Sequence, residues 1–500
     1  MSDERSLDDT DLAALRAAVG IELAVTTRPF VEYATVDSMR NFARAYGDDN
    51  PLFGDEDYGR AGPWGTIVAP PLFPIATGTP VVVADEPAAA VRHALRGVAV
   101  EVVADRWTLH RWVRPGTRLI RADFIAAVDC VDTGTGLTAT VTTRSTYFTG
   151  DGVYAEHDRV RVHGGRSIAD PAALHEQVRV RKQAAVREQF ERTGQVERAE
   201  QAEQFERAEQ VEQFEQFEQF ERAEQVEQFE RAERAERAEQ ADRVEQVEQF
   251  EQAEQFEQAE QAEQVEQPEQ FERTEQFERT ERVEQAEQAE QAEQPEASVV
   301  CEVREGKARY DDRALEEIDR RGAAWRRQGY APLLARDLVA GDQIGPMVKG
   351  PLTITDLVAY RGGVGPGPFG VEPLDLARRN RLQRPDFYDR DDTGAWDARE
   401  RLHWDEAYAQ RCGHPSAYDY THTRLNWMVH LVTDWMGDHA RIETISFVHL
   451  AHNYVGDTHW IDATIRSVDP AHGNARVELE LRGINQRGVV TCRGDATVVL

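Results

Sequence analysis

Between about residues 187 and 297 the chain repeats a three-residue unit, E-Q-x or E-R-x with x being Ala, Val or Phe, as in EQFEQFEQFERAEQVEQFERAERAERAEQ. A helix turns about 100° per residue, so a period of three falls about 60° short of a full circle at every repeat. The apolar positions therefore wind around any helix and give neither one buried stripe nor a heptad seam. The residue types favour helix, and ERAER sets Glu four residues before Arg in the better orientation. Most units carry Gln in place of Arg, however, so acids repel one another, and Pro268 and Pro295 interrupt any helix. Such a run builds no core. It is expected to be a solvated spacer, partly helical or disordered. Its Phe-bearing units leave an oligomerising or partner-binding role as the alternative.

This run divides the chain into residues 1–170, the spacer at 187–297 and residues 308–500. It also holds most of the acidity. The whole chain carries −33, and residues 191–300 contain 35 acids and 11 arginines (11 − 35 = −24), which leaves −9 for the rest. Phosphates would be repelled there, which argues against nucleic acid as a partner. The flanking parts have an ordinary charge balance and enough apolar residues for cores. The four cysteines, Cys130, Cys301, Cys412 and Cys492, stand far apart with no CxxC pair, so neither a disulfide framework nor a zinc site is indicated. MSDERSLDDTDLAALRAAVG is acidic and lacks the apolar core of a signal peptide. No run of about 18 apolar residues offers a membrane span. A reducing cytoplasm is the expected compartment.

The two flanking parts repeat one order of elements. In the first, Thr35-Val36-Asp37-Ser38 offers N-cap chemistry, and Met39, Phe42, Ala43 and Tyr46 share a helix face that ends near Gly47. GTIVAPPLFPIATG then suggests a longer buried helix entered through Pro70 and Pro71. Four stretches rich in Val, Ile, Thr, Tyr and Phe follow, RGVAVEVVADRWTLH, TRLIRADFIAAVDCV, GLTATVTTRSTYFT and VYAEHDRVRVHG, separated by glycine-bearing turns. In the last part, LVAGDQIGPMVKGPLTITDLVAYRGGVG reads as a strand and a helix start, AYDYTHTRLNWMVHLVTDWMGD as a long amphipathic helix, and the remainder as strands. The expectation is an α+β protein made of an internal duplication around an insert.

Gly47-Asp48-Asp49-Asn50-Pro51-Leu52-Phe53-Gly54-Asp55, followed by Gly65 to Phe73, resembles the motif G-D-x-N-P-x-H-x-D and the helix entry of MaoC-like acyl dehydratases, the (R)-specific enoyl-CoA hydratase family. The resemblance covers both flanking parts. It implies two hot-dog domains, each a long central helix wrapped by a curved antiparallel sheet, fused as a double hot dog. It also implies a substrate carried as a CoA thioester, no further cofactor and no metal. In catalytic members the motif's Asp and His jointly activate a water. Asp48 stands at the Asp position, but Phe53 stands at the His position. In the last part, His403-Trp404-Asp405 resembles the end of the motif and puts His403 at the catalytic His. There the Asp-bearing segment is replaced by AYRGGVGP, about forty residues upstream, and AYDYTHTRLNW takes the place of the family's helix entry.

Hydrating a 2-enoyl thioester requires a base to deprotonate the attacking water, a proton for C2, and donors for the charge gained by the thioester oxygen. His403 is the candidate base. Asp405, Asp419 and Asp48 are the candidate carboxylates, with Asp405 alternatively a helix cap for EAYAQR and Asp48 alternatively a turn residue. Asn50, Tyr420, Thr421, His422 and Arg424 are candidate substrate contacts, Arg424 alternatively a surface helix residue. The oxyanion donors fall at Tyr420–Thr423 in preference to Val68–Pro71, because Pro70 and Pro71 have no N–H. A pairing of Asp48 with His403 is disfavoured by the pseudo-twofold arrangement. A calcium loop fails because Leu52 and Phe53 stand at ligand positions. His449 and His452 face opposite sides of a strand, so with His459 they make no zinc set. Three readings result: an acyl-CoA hydratase or dehydratase with chemistry in the C-terminal half; a non-catalytic double hot dog that binds acyl-CoA, forms a homo-oligomer or partners a dehydratase subunit; and a hot-dog thioesterase.

Overall fold

The computed structural model describes residues 6–23, 29–78, 88–164 and 302–500, apart from 97, 99, 133–135, 150–151, 305–306, 366–370, 384 and 471–474. The expected spacer at 187–297 lies outside the described residues. Among the described residues no helix is long and apolar enough to cross a membrane.

Helix α1 (Asp9–Ala17) starts at a reciprocal cap in which Asp8 and Asp11 accept each other's backbone N–H. Helix α2 (Val36–Ala45) uses the same device with Thr35 and Ser38. Then come α3 (Glu56–Ala61) and α4 (Ala88–Leu95). The N-terminal half closes with β1 (Val100–Leu109), β2 (Ile120–Asp132), β3 (Leu137–Thr149) and β4 (Gly152–His163). All four strands fall where β-branched and aromatic residues accumulate in the sequence.

The C-terminal half opens with a ribbon of β5 (Glu302–Arg304) and β6 (Lys307–Arg309), then α5 (Asp312–Ala324), β7 (Gln343–Lys349) and α6 (Ile354–Val364). Helix α6 repeats the cap of α2, now with Thr353 and Asp356. Helix α7 (Leu374–Gln383), a ribbon of β8 (Tyr388–Arg390) and β9 (Trp396–Ala398), and α8 (Glu406–Arg411) lead to α9 (Thr421–Met436) and the strands β10 (Arg441–His449), β11 (His459–Asp469), β12 (Arg476–Asn485) and β13 (Val490–Val499).

Nine strands form one antiparallel sheet in the order β2-β3-β4-β1-β10-β13-β12-β11-β7. The halves join at its middle, where β1 pairs with β10 from Ala104 opposite Val448 to Thr108 opposite Thr444. They meet again where α2 crosses α6. A Cβ on Gly363 would lie 2.5 Å from the Ala45 Cβ and 2.6 Å from the Asn41 carbonyl oxygen, so only glycine permits this approach.

The α+β class and the helix wrapped by antiparallel sheet are present. Two helix expectations change. Helix α9 is not amphipathic: 13 of its 16 residues are buried, so it is enclosed on nearly every side. In the N-terminal half the run after Pro70 makes only a 3-10 turn, Phe73–Thr77, and Gly78 ends it at φ 75°. The local chemistry explains this. Pro74 inside a helix begun at Pro70 would remove an N–H and clash with the preceding turn, and a left-handed glycine stops propagation four residues later.

Candidate active site

Two loops of the same backbone shape flank the long helix. In the first, Gly47 (φ 75°) leaves α2. Asp48 Oδ1 then accepts from the Asn50 N–H at 2.9 Å, and Asn50 Oδ1 accepts from the Leu52 N–H at 3.0 Å. A 3-10 turn, Pro51–Phe53, follows, and Asp55 caps α3 through the N–H groups of Asp57 and Tyr58. In the second loop the 3-10 turn is Arg399–His403, and Asp405 caps α8 through the Tyr408 N–H at 2.9 Å. The caps adopt φ/ψ of −106°/106° at Asp55 and −107°/103° at Asp405. Phe53 and His403, each two residues before its cap, therefore occupy equivalent places.

Their surroundings differ. Phe53 is buried with Ala43, Leu52 and Val68. The His403 ring lies 4.0 Å from the Tyr420 ring and meets Tyr418 edge-on at 4.9 Å. His403 Nδ1 is 2.8 Å from the Tyr418 carbonyl oxygen. A carbonyl only accepts, so Nδ1 carries the proton and Nε2 the lone pair. Nε2 has no hydrogen-bond partner among the described residues. Burial holds the imidazole down to about 4, so it is neutral at pH 7.

Tyr420 is the N-cap of α9 and makes no side-chain cap bond. The Thr423 N–H is used by the Tyr420 carbonyl at 2.9 Å. The N–H groups of Thr421 and His422 have no partner among the described residues, so the first turn presents open donors. Asn426 Oδ1 is buried without a partner among the described residues, and Thr423 shares a side-chain hydrogen bond with Tyr360. Asn426 Nδ2 donates to the Tyr360 hydroxyl at 3.2 Å and to the His422 carbonyl at 2.9 Å. Glu400 pairs with Arg361 Nε at 2.8 Å.

Residues 19–157 match the family described as FAS1-like, dehydratase domain region. A solved structure of a MaoC-like dehydratase aligns with 97% of this chain and 99% of its own at TM-score 0.50 and 14% identity. The fold is that of a MaoC-like dehydratase. A UPF0336 protein of Parafrankia sp. (strain EAN1pec) is 34% identical over 100 residues, 19% of this chain and 62% of that protein, so the chain spans less than two thirds of this curated relative. A Mycobacterium tuberculosis protein with a double hotdogfold aligns with 100% of this chain and 94% of its own at TM-score 0.35 and 10% identity.

Within this fold the remaining candidates take distinct places. Asp419 and Arg424 are both buried and ion-paired, Nε to Oδ2 at 2.9 Å. Burial raises the Asp419 carboxyl to about 7 against the pull of Arg424. Arg424 is no surface residue: it is 1% exposed, and its Nη1 donates to the carbonyls of Ala451 at 2.6 Å and Thr491 at 3.0 Å. Asn50 Oδ1 also receives Arg327 Nη1 at 3.0 Å. His422 is held neutral by burial and by Arg159, whose Nη2 meets its Nε2. His449 reaches Asp105 at 3.4 Å, His452 packs on Tyr418, and His459 bonds Thr491.

Asp48 faces His430 of α9, with Nε2 3.6 Å from its Oδ1 and 3.2 Å from Asp434 Oδ2. Burial raises the Asp48 carboxyl, His430 pulls it down and Asp434 raises it again. Tyr46 donates to Asp48 Oδ2 at 3.3 Å and Trp325 Nε1 to Asp434 Oδ2 at 2.7 Å. Ligand atoms of Asp48, His430 and Asp434 lie within 4.8 Å of one another, the donor set of a cation site. Lys349 Nζ, 2.8 Å from His430 Nδ1, decides otherwise. An ammonium only donates, so Nδ1 accepts and Nε2 carries a proton toward the carboxylates, which makes a hydrogen-bonded ion network. Sequence reasoning missed it. The signal was His430 and Asp434 four residues apart on one helix face.

Proposed function

We propose that the chain catalyses the reversible addition of water to a 2-enoyl-CoA thioester, with His403 as the base. The observation that carries this reading is the bond from His403 Nδ1 to the Tyr418 carbonyl, 2.8 Å, which leaves the Nε2 lone pair beside the open N-terminal turn of α9. Nε2 takes a proton from water as its oxygen bonds to C3. The electron pair of the C2–C3 bond moves toward the thioester oxygen, where the N–H groups of Thr421 and His422 stabilise the charge. The imidazolium then returns its proton to C2, and no group is consumed.

The test is turnover of a panel of 2-enoyl-CoA thioesters by the wild type and by His403→Ala. Turnover lost in the variant supports the assignment, and unchanged turnover sinks it. A second reading, an acyl-CoA-binding protein or a dehydratase partner subunit, is favoured by one fact: among the described residues no carboxylate pairs with His403. Thioester binding without wild-type turnover selects it.

A further inference from the structure

Asp105 of β1 and Arg159 of β4 lie opposite each other in the sheet. Asp105 is fully buried and accepts from Arg159 Nε at 2.7 Å, from His157 Nε2 at 2.7 Å and from His449 Nε2 at 3.4 Å. It fixes the guanidinium in one orientation. From there Arg159, itself 8% exposed, reaches across to α9 and spends Nη2 on His422. Its Nη1 has no partner among the described residues. Arg161, two residues along the same face, has Thr143 Oγ1 at 3.0 Å and no carboxylate partner among the described residues. Arg159, Arg161 and Asp105 together carry a surplus positive charge.

We propose that Arg159 is the anion-binding element of the acyl site, so that the substrate is a 2-enoyl thioester whose acyl chain ends in a carboxylate. This rests on the hydratase reading and narrows it. An aliphatic tail at this place would seal polar groups without partners, which is unfavourable. A carboxylate takes the free edge of the guanidinium and offsets the surplus charge. His403 packs on Tyr420 and Arg159 meets His422, so base and guanidinium both reach the first turn of the same helix.

The full chain is assayed on two four-carbon 2-enoyl-CoA thioesters, one ending in a carboxylate and the other in a methyl group. The expected kcat/KM is roughly 10- to 150-fold higher for the carboxylate. Arg159→Gln removes the preference. Because that change strands Asp105 without its cation, the double variant Asp105→Asn/Arg159→Gln is measured beside it and loses the preference too. Calorimetry with the two saturated four-carbon acyl-CoA thioesters reads the same order without turnover. Equal affinity for the pair, or a preference that survives both variants, overturns the subsite. No turnover with the binding order intact supports the subsite and overturns the hydratase reading alone.

Discussion

The loops around Phe53 and His403 share a 3-10 turn, a capping aspartate and nearly the same cap dihedrals, yet they do opposite things. The first is fastened. Asp48 joins His430 and Asp434, Arg327 holds Asn50 and Tyr58, and Asp438 receives the Tyr58 hydroxyl at 2.6 Å and the Trp64 indole N–H at 2.7 Å. Asp48, Asn50 and Tyr58 of that loop all contact residues of the other half. The second keeps an uncommitted imidazole nitrogen beside open helix donors. One backbone shape thus serves as a joint on one side and, in the proposed reading, as the reaction site on the other.

The largest expected effect sharpens this contrast. His403→Ala is expected to lower turnover by roughly 10²- to 10⁴-fold, with a stability cost of about 1–3 kcal/mol from the lost Tyr418 bond. His430→Ala is expected to act mainly on stability, lowering it by about 3 kcal/mol or more because it leaves buried carboxylates without their hydrogen-bond donor. Thermal melts alongside steady-state rates check both. If His430→Ala abolished turnover and His403→Ala did not, the assigned roles would be exchanged.

Acid is the next lever. Burial holds His157, His163, His403 and His449 down to about 4, and His452 and His459 to about 3. Their unfolded values lie near 6.5, so as pH falls below that point the unfolded state binds protons first and stability is lost, roughly 1.4 kcal/mol per group per pH unit until the folded value is reached. Asp48, Glu400, Asp419 and Asp495, all raised by burial, act with the opposite sign but are fewer. Four of the six histidines belong to the C-terminal half, so hydrogen exchange at pH 5 is expected to open β10–β13 before β2–β4. Uniform protection would break the contrast. The rate of turnover, for its part, is expected to rise through about pH 4 and to stay level toward neutrality.

The caps offer a smaller and more symmetrical test. Asp55→Ala and Asp405→Ala are each expected to cost about 1 kcal/mol. A much larger loss at Asp405 would show that it supports more than a helix. The smallest effect is expected from removal of residues 191–297, which leaves melting temperature and turnover unchanged if the segment is a spacer.

Much of this was legible in the sequence. The strands show through their Val, Ile and Thr runs, the cap at Thr35 through its N-cap chemistry, and the absence of a histidine from the first loop through Phe53. What stayed hidden depends on long-range contact. His430 and Asp48 are 382 positions apart, and nothing local marks one as the partner of the other. Arg159 sits in an ordinary strand, and its significance comes from Asp105 beneath it and His422 across from it. The shortened helix after Pro70 was misread because two prolines announced a start while Pro74 and Gly78 forbade continuation.

The pairing of β1 with β10 has a consequence for how such a molecule can change. If two identical chains met along this edge, every substitution would appear twice, once on each side of the seam. A change in one loop would be a change in both. With the two halves on a single polypeptide, that coupling is broken. One half can carry a phenylalanine where the other carries a histidine, and each loop is free to take its own surroundings.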